Sequence, residues 1–154
     1  MKISSLFKAI LKTGPVVAGV LLKYGPQLKE LAQKNPRLVK KIHGVYTKIA
    51  GTAPSRSSAQ MALKIVALKE QVTYLYANAT TPKELEDAKK WREELDMLER
   101  AIPVVDTMRY SKKKMEQRAM YRRLNKISDA VLAATLVEYI EDAEIVDDEK
   151  RENA

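Results

Sequence analysis

From Met61 to Ala79 the apolar residues Met61, Ile65, Leu68, Val72, Leu75 and Ala79 alternate by four and three, the seam spacing of packed helices. Almost at once comes Thr81-Pro82-Lys83-Glu84. Thr81 is a good cap, Pro82 suits the first helical position and Glu84 completes a capping box. The helix opened there runs to about Ala101, with Leu85, Ala88, Trp91, Leu95, Leu98 and Ile102 facing inward. Two helices joined by so short a gap turn back on each other as an antiparallel hairpin. Ala62, Leu63, Val66, Ala67, Tyr74 and Tyr76 cover much of the rest of the first helix, which therefore reads as the central helix, buried on several sides.

Five Gly and six Pro in 154 residues are too few for a turn-rich β protein, and Ala, Leu, Lys, Glu and Arg dominate. The fold reads as all-α: a helical hairpin plus a long third helix, bundle or coiled-coil-like, behind an N-terminal helical section. Pro103 kinks or restarts the second helix. Val104 to Ile145 then contains no Gly or Pro, and a pattern that long predicts a bend or break near Ser128-Asp129. Past Asp142 the chain is acidic and predicted to fray. The boundaries are 1–50 for the N-terminal section, 51–58 (GTAPSRSS) for a linker, 59–142 for the bundle and 143–154 for a flexible acidic tail.

The N-terminal fifty residues hold ten Lys or Arg against one acid, Glu30. At about 100° per residue, Ile3, Leu6, Phe7, Ile10, Leu11, Val17 and Leu21 share one side, while Lys2, Lys8, Lys12 and Lys23 fall on the other. Gly14-Pro15, Gly25-Pro26 and Asn35-Pro36 predict four short helices. The last, with Leu38, Ile42, Val45 and Ile49 inward, carries Arg37, Lys40, Lys41 and Lys48 outward. The longest unbroken apolar run, Val16 to Leu22, falls far short of the roughly 20 residues that span a bilayer, so neither a transmembrane helix nor a signal peptide is read. Such an amphipathic, Lys-rich segment suits the surface of an anionic membrane; the plainer alternative is a helix packed on the chain's own bundle with its lysines solvated.

The net charge of +8 and the pI near 9.6 imply an anionic partner. A second cation cluster lies at Lys112, Lys113, Lys114, Arg118, Arg122, Arg123 and Lys126. Within it Lys114, Arg118, Arg122 and Lys126 recur every four residues and form a stripe along one helical side. Such a stripe can follow a phosphate backbone, with Tyr110 or Tyr121 stacking on a base. The plainer reading is a solvated face partnered by the chain's own acids, Glu138 to Glu149, with the acidic tail masking the stripe.

Chemistry is sparse. Without Cys there is no thiolate nucleophile or ligand, which fits a reducing compartment, and His43 alone cannot supply a paired-histidine metal site. Ser5 and Lys8 match S-x-x-K, and Tyr110 and Lys114 match Y-x-x-x-K, but both lack companion motifs. The sequence therefore predicts a non-enzymatic protein without metal or cofactor. The leading reading is a cytoplasmic peripheral anchor or adaptor, its N-terminal section on an anionic membrane and its bundle binding protein partners or self-associating. The alternatives are a nucleic-acid-binding protein using the 29–48 and 112–126 clusters, and a structural subunit of a larger assembly.

Overall fold

The computed structural model describes residues 3–50 and 57–154, and these are all-α. Six helices follow in order: α1 (Ile3–Leu11), α2 (Pro15–Lys34), α3 (Pro36–Ala50), α4 (Ser58–Asn78), α5 (Pro82–Asp106) and α6 (Tyr110–Glu152). The linker residues 51–56 and Lys2 lie outside the described residues; Ser57 caps α4, its hydroxyl accepting from the Gln60 amide.

The organising element is α6 rather than α4. Its 43 residues extend about 64 Å at 1.5 Å per residue. Between Ile127 and Ile140 it is buried on nearly every side, through Ile127, Val131, Leu132, Ala133, Leu136, Tyr139 and Ile140. By contrast α4 buries one face only, Met61, Ile65, Leu68, Val72 and Leu75, and leaves Leu63 65% exposed. The two sides of the middle of α6 are covered by different groups of helices, so no single stripe of apolar residues would serve there.

On one side lie α4 and α5. Ser58 meets Asp106, Lys69 meets Asp96 and Glu99, and Thr73 meets Arg92. Numbers that rise in α4 and fall in α5 make the pair antiparallel. The turn is held by the capping box: the Thr81 hydroxyl accepts from the Glu84 amide at 3.2 Å, and Glu84 accepts from the amides of Thr80 and Thr81. Those bonds hold the Glu84 carboxyl below its usual pKa. Against α6, the pairs Ser58–Gln117, Lys64–Asn125 and Gln71–Thr135 rise together, so α4 runs parallel to it.

On the other side α2 runs parallel to the C-terminal half of α6, from Val17 beside Asp129 to Lys34 beside Asp147. Helices α1 and α3 complete that layer, α3 also touching α4. One apolar core runs through all six helices.

Several boundaries differ from those predicted. The N-terminal section contains three helices, not four, because α2 passes through Pro26. Proline there deprives the Leu22 carbonyl of its donor, but Leu22 is 81% exposed and water can take that role, while Leu21, Leu28 and Leu31 hold the helix to the core. Likewise α5 continues through the exposed Pro103, and the break falls at Thr107 to Arg109. No break occurs at Ser128-Asp129: the helix runs on through both residues, which are buried, and the Ser128 hydroxyl donates to the Leu124 carbonyl within it. The tail expected to fray is helical to Glu152. Asp147 joins it to Lys34 (3.8 Å) and Arg151 (3.1 Å), and Lys150 and Arg151 complement the negative end of the helix.

Candidate functional site

The first half of α6 is covered on one side only, and its open side carries the cation stripe. Lys114, Arg118, Arg122 and Lys126 are all exposed. From Lys114 to Lys126 the stripe covers about 18 Å at the helical rise. Among the described residues none of the four lies within 4.0 Å of a carboxylate; Lys114 sits over the Tyr110 ring at 4.7 Å. Lys112 and Arg123 are exposed on its flank, whereas Lys113 pairs with Asp106 at 3.3 Å. Glu116, the one acid in this stretch, is half-buried and turned away from it.

The acids Glu138 to Glu149 do not partner the stripe, contrary to the plainer sequence reading. They continue the same unbroken helix, so rigid geometry keeps Glu138 about 18 Å beyond Lys126, more than the screening length of about 8 Å at physiological salt. Intramolecular masking by the tail is excluded for the same reason. Near Glu138 the acids crowd one another instead. Burial, then Asp142, Glu141 and Glu84, push its pKa up.

At its far end the stripe meets the start of α2. Lys126, Arg122 and Arg118 lie three, seven and eleven residues before Asp129, spacings that return to one side of a helix. Asp129 is buried, and its two oxygens accept from the Val16 amide at 3.0 Å and the Val17 amide at 2.9 Å. These are the first two N–H groups of α2, since Pro15 has none. The carboxylate thus caps a helix more than a hundred residues away in sequence. Gly14 is required by contact: a Cβ there would stand 2.4 Å from the Asp129 carboxyl carbon. Its φ of 170° is extended backbone open to any residue. No local signal announces this pairing. Asp129 lies in the middle of a helical pattern and looks like an ordinary surface acid.

A second cation set borders α3. Arg37, Lys40, Lys41 and Lys48 are exposed. Lys40, Lys41 and Lys48 line a groove of about 260 Å³ with Glu70 and Gln71. Lys41 also reaches over the Tyr139 ring (5.7 Å) into an adjoining groove with Arg37, where Lys34 and Lys150, not singled out from the sequence, join them.

The apolar face read as membrane-facing is mostly internal. Leu6, Phe7, Ile10, Val17 and Leu21 belong to the core and Ile3 packs against it. Of that set only Leu11 is exposed, at 43%. The periodicity is right but the partner is the chain itself: α2 packs on the C-terminal half of α6, and α1 packs on α2 and α3. What α1 and α2 leave outside is Leu11, Val16 (51% exposed) and Leu22, with the exposed Lys8, Lys12 and Lys23. Similarly, the seam of α4 is filled within the molecule by α5 and α6.

Lys64 is a further polar feature. Half-buried between α4 and α6, its ammonium donates to Asn125 Oδ1 at 3.0 Å and lies 5.7 Å from the Tyr121 ring centre, and burial lowers its pKa. His43, Ser5 and Lys8 are exposed, and the Lys114–Tyr110 contact is with the ring face, not the hydroxyl. Among the described residues no group of three or more His, Asp or Glu is arranged to hold a metal, and no helix is long and apolar enough to cross a membrane. Set against known proteins, the chain matches no family model, no curated protein and no solved structure.

Proposed function

We propose that the protein is a non-enzymatic helical module that binds nucleic acid along its phosphate backbone, using the exposed stripe of α6. The observation that carries this is the regular row Lys114, Arg118, Arg122 and Lys126 with no carboxylate partner among the described residues, on an unbroken helix whose other side is packed. A solvated face ordinarily mixes signs; this one does not. Unpaired cations bind a polyanion by releasing its condensed counterions, a driving force that needs charge density rather than a shaped pocket. Tyr110, 72% exposed at the start of the row, offers a ring for an unpaired base, whereas Tyr121 is half-buried with Lys64 above it. The stripe has no groove-reading side chains beyond its cations, so binding is of low sequence specificity.

The test is fluorescence anisotropy with mixed-sequence duplex DNA and single-stranded RNA across a salt series. Affinity for duplex should fall steeply with salt, and Lys114→Ala, Arg118→Ala and Arg122→Ala together should flatten the log–log slope by about 0.9 per cation removed. Absence of binding at low salt, or an unchanged slope in the triple variant, refutes the reading.

One observation favours a second reading, the peripheral membrane adaptor. Leu11, Val16 and Leu22 stand exposed among Lys8, Lys12 and Lys23, and the chain has no acid before Glu30. Three apolar side chains can enter the headgroup boundary while the lysines, at about 1 kcal/mol each, hold anionic lipid. Sedimentation with anionic but not neutral liposomes, lost in Leu11→Ser/Val16→Ser/Leu22→Ser, is the expected result. Equal sedimentation of that variant refutes it. These exposed positions test the idea without removing the core residues of α1 and α2.

A further inference from the structure

The groove beside the N-terminal end of α3 is unlike the stripe, because its cations converge from three helices. Lys34 comes from the end of α2, Arg37 and Lys41 from α3, and Lys150 from the last turns of α6. They line one concavity of about 760 Å³, with Asp142 the one carboxylate among its lining residues. That size is within the range of small-molecule sites. Folding has gathered like charges here from positions over a hundred residues apart, against their mutual repulsion. Lys34 is balanced by Glu30 at 3.2 Å and Asp147 at 3.8 Å, but neither Arg37 nor Lys150 has a carboxylate within 4.0 Å among the described residues.

We propose that this groove binds a compact oligophosphate, a ligand carrying two or more clustered phosphates. A concave site with low-dielectric walls focuses the field of its cations and favours several negative charges held close together over one. Arg37 supplies a planar fork matched to phosphate oxygens, and Lys41 and Lys150 supply point charges on either side. Lys41 already rests on the buried Tyr139 ring (5.7 Å), which limits its freedom and lowers the entropy lost on binding. The Asn35 side chain accepts from the Arg37 amide at 3.1 Å, fixing the first turn of α3 from which Arg37 projects. This site is separate from the stripe: Asp142 lies sixteen residues beyond Lys126 on α6, about 24 Å at the helical rise. The ligand is either a free oligophosphate or a multiply phosphorylated lipid headgroup, which share this chemistry.

The experiment uses the full chain and inorganic tripolyphosphate, followed by thermal unfolding and by calorimetric titration, with sodium chloride at matched ionic strength as control. Binding of one tripolyphosphate per chain is expected, with Tm raised above the salt control. Arg37→Ala/Lys41→Ala, both at exposed positions, should weaken binding at least tenfold and abolish the Tm rise. Lys114→Ala/Arg118→Ala/Arg122→Ala should leave both intact, so failure here and failure of the nucleic-acid reading are told apart. An equal Tm rise in the groove variant, several equivalent ions per chain, or no rise beyond salt would overturn the proposal. Vesicles bearing a bisphosphorylated inositol lipid, against phosphatidylserine vesicles of equal charge, separate the two sources. Preferential sedimentation that tripolyphosphate reverses, and that Arg37→Ala/Lys41→Ala loses, assigns the groove to a headgroup. Tripolyphosphate binding without that preference assigns it to a free oligophosphate, and either result upholds the site.

Discussion

The contact between Asp129 and the start of α2 gives the sharpest test of how the two layers are joined. In Asp129→Ala the Val17 amide, on a residue 0% exposed, loses its acceptor where water has little access. An unsatisfied buried donor costs about 1–3 kcal/mol. The Val16 amide is partly buried and loses less, because water can replace the carboxylate. Removing an anion from a helix N-terminus adds roughly 0.3–1 kcal/mol, and relief from burying the carboxylate offsets part of the total. The net loss is about 2–4 kcal/mol, or some 4–16 °C in Tm at ~2–4 °C per kcal/mol for a chain of this size. Gly14→Ala should cost a similar amount by a different route, since its new Cβ would collide with the same carboxylate and break both bonds. The two substitutions therefore cannot add. Once Asp129 is alanine the collision is gone, and the double variant should unfold within about 0.5 kcal/mol of Asp129→Ala alone, whereas non-interacting sites would add to within that same margin. Urea unfolding followed by far-UV circular dichroism, with the four proteins compared at one pH, measures the cycle. Full additivity would show that Gly14 and Asp129 act separately and would refute the account.

The remaining predictions concern the core and the titrating groups. Leu136→Ala, at the 1% exposed centre of α6, should lose about 2–5 kcal/mol in urea unfolding, whereas Leu63→Ala on α4 should stay within about 0.5 kcal/mol of the parent. Glu84 and Glu138 should titrate with opposite sign. Glu84 has a lowered pKa, so its contribution is present above the unfolded-state value and lost as pH falls through the folded one; Glu84→Gln should remove that acid-range loss. Glu138 has a raised pKa, so stability gains as pH falls through the folded value, and Glu138→Gln should be more stable than the parent at neutral pH. Lys64 has a lowered pKa, which weakens the fold while the amine is charged and eases as pH rises through the folded value. Lys64→Met should therefore raise Tm by a few degrees in a neutral-pH thermal scan.

What the sequence made legible follows from how local each cause is. The capping box at Thr81 and Glu84 involves four adjacent residues and their own amides, so its residue types announce it. The helical character of the whole chain is likewise local, through composition and apolar period. Helix length across proline was not legible, because Pro26 is tolerated through the exposure of Leu22 and the burial of Leu28, facts set by tertiary packing. The same limit explains the choice of central helix. α4 has more apolar residues around its circumference, but α6 is the helix enclosed from both sides, partly with small and polar residues such as Ala133, Ser128 and Thr135. For the candidate sites, the stripe on α6 was readable from its four-residue spacing. The groove was not, because Lys150 lies in an acidic stretch and nothing local marks it as a neighbour of Arg37.

The helix that organises the fold also decides what the charges can do. Were α6 broken near Asp129, the acidic end could fold back over the cations and neutralise them, and the chain would be a self-contained zwitterion. Continuity from Tyr110 to Glu152 forbids this: Lys114 and Glu149 are separated by about 52 Å at the helical rise, several screening lengths. Docking α2 on the C-terminal half of α6, and α1 on α2 and α3, then buries most of the apolar face of the N-terminal section. That burial shifts the balance of the surface chemistry from apolar insertion to cation rows. Binding dominated by such rows should respond strongly to salt and weakly to loss of Leu11, Val16 and Leu22, whereas insertion would show the reverse. The contrast follows from which residues this fold buries, since the cations and the apolar residues were interleaved in sequence and only the packing has separated them.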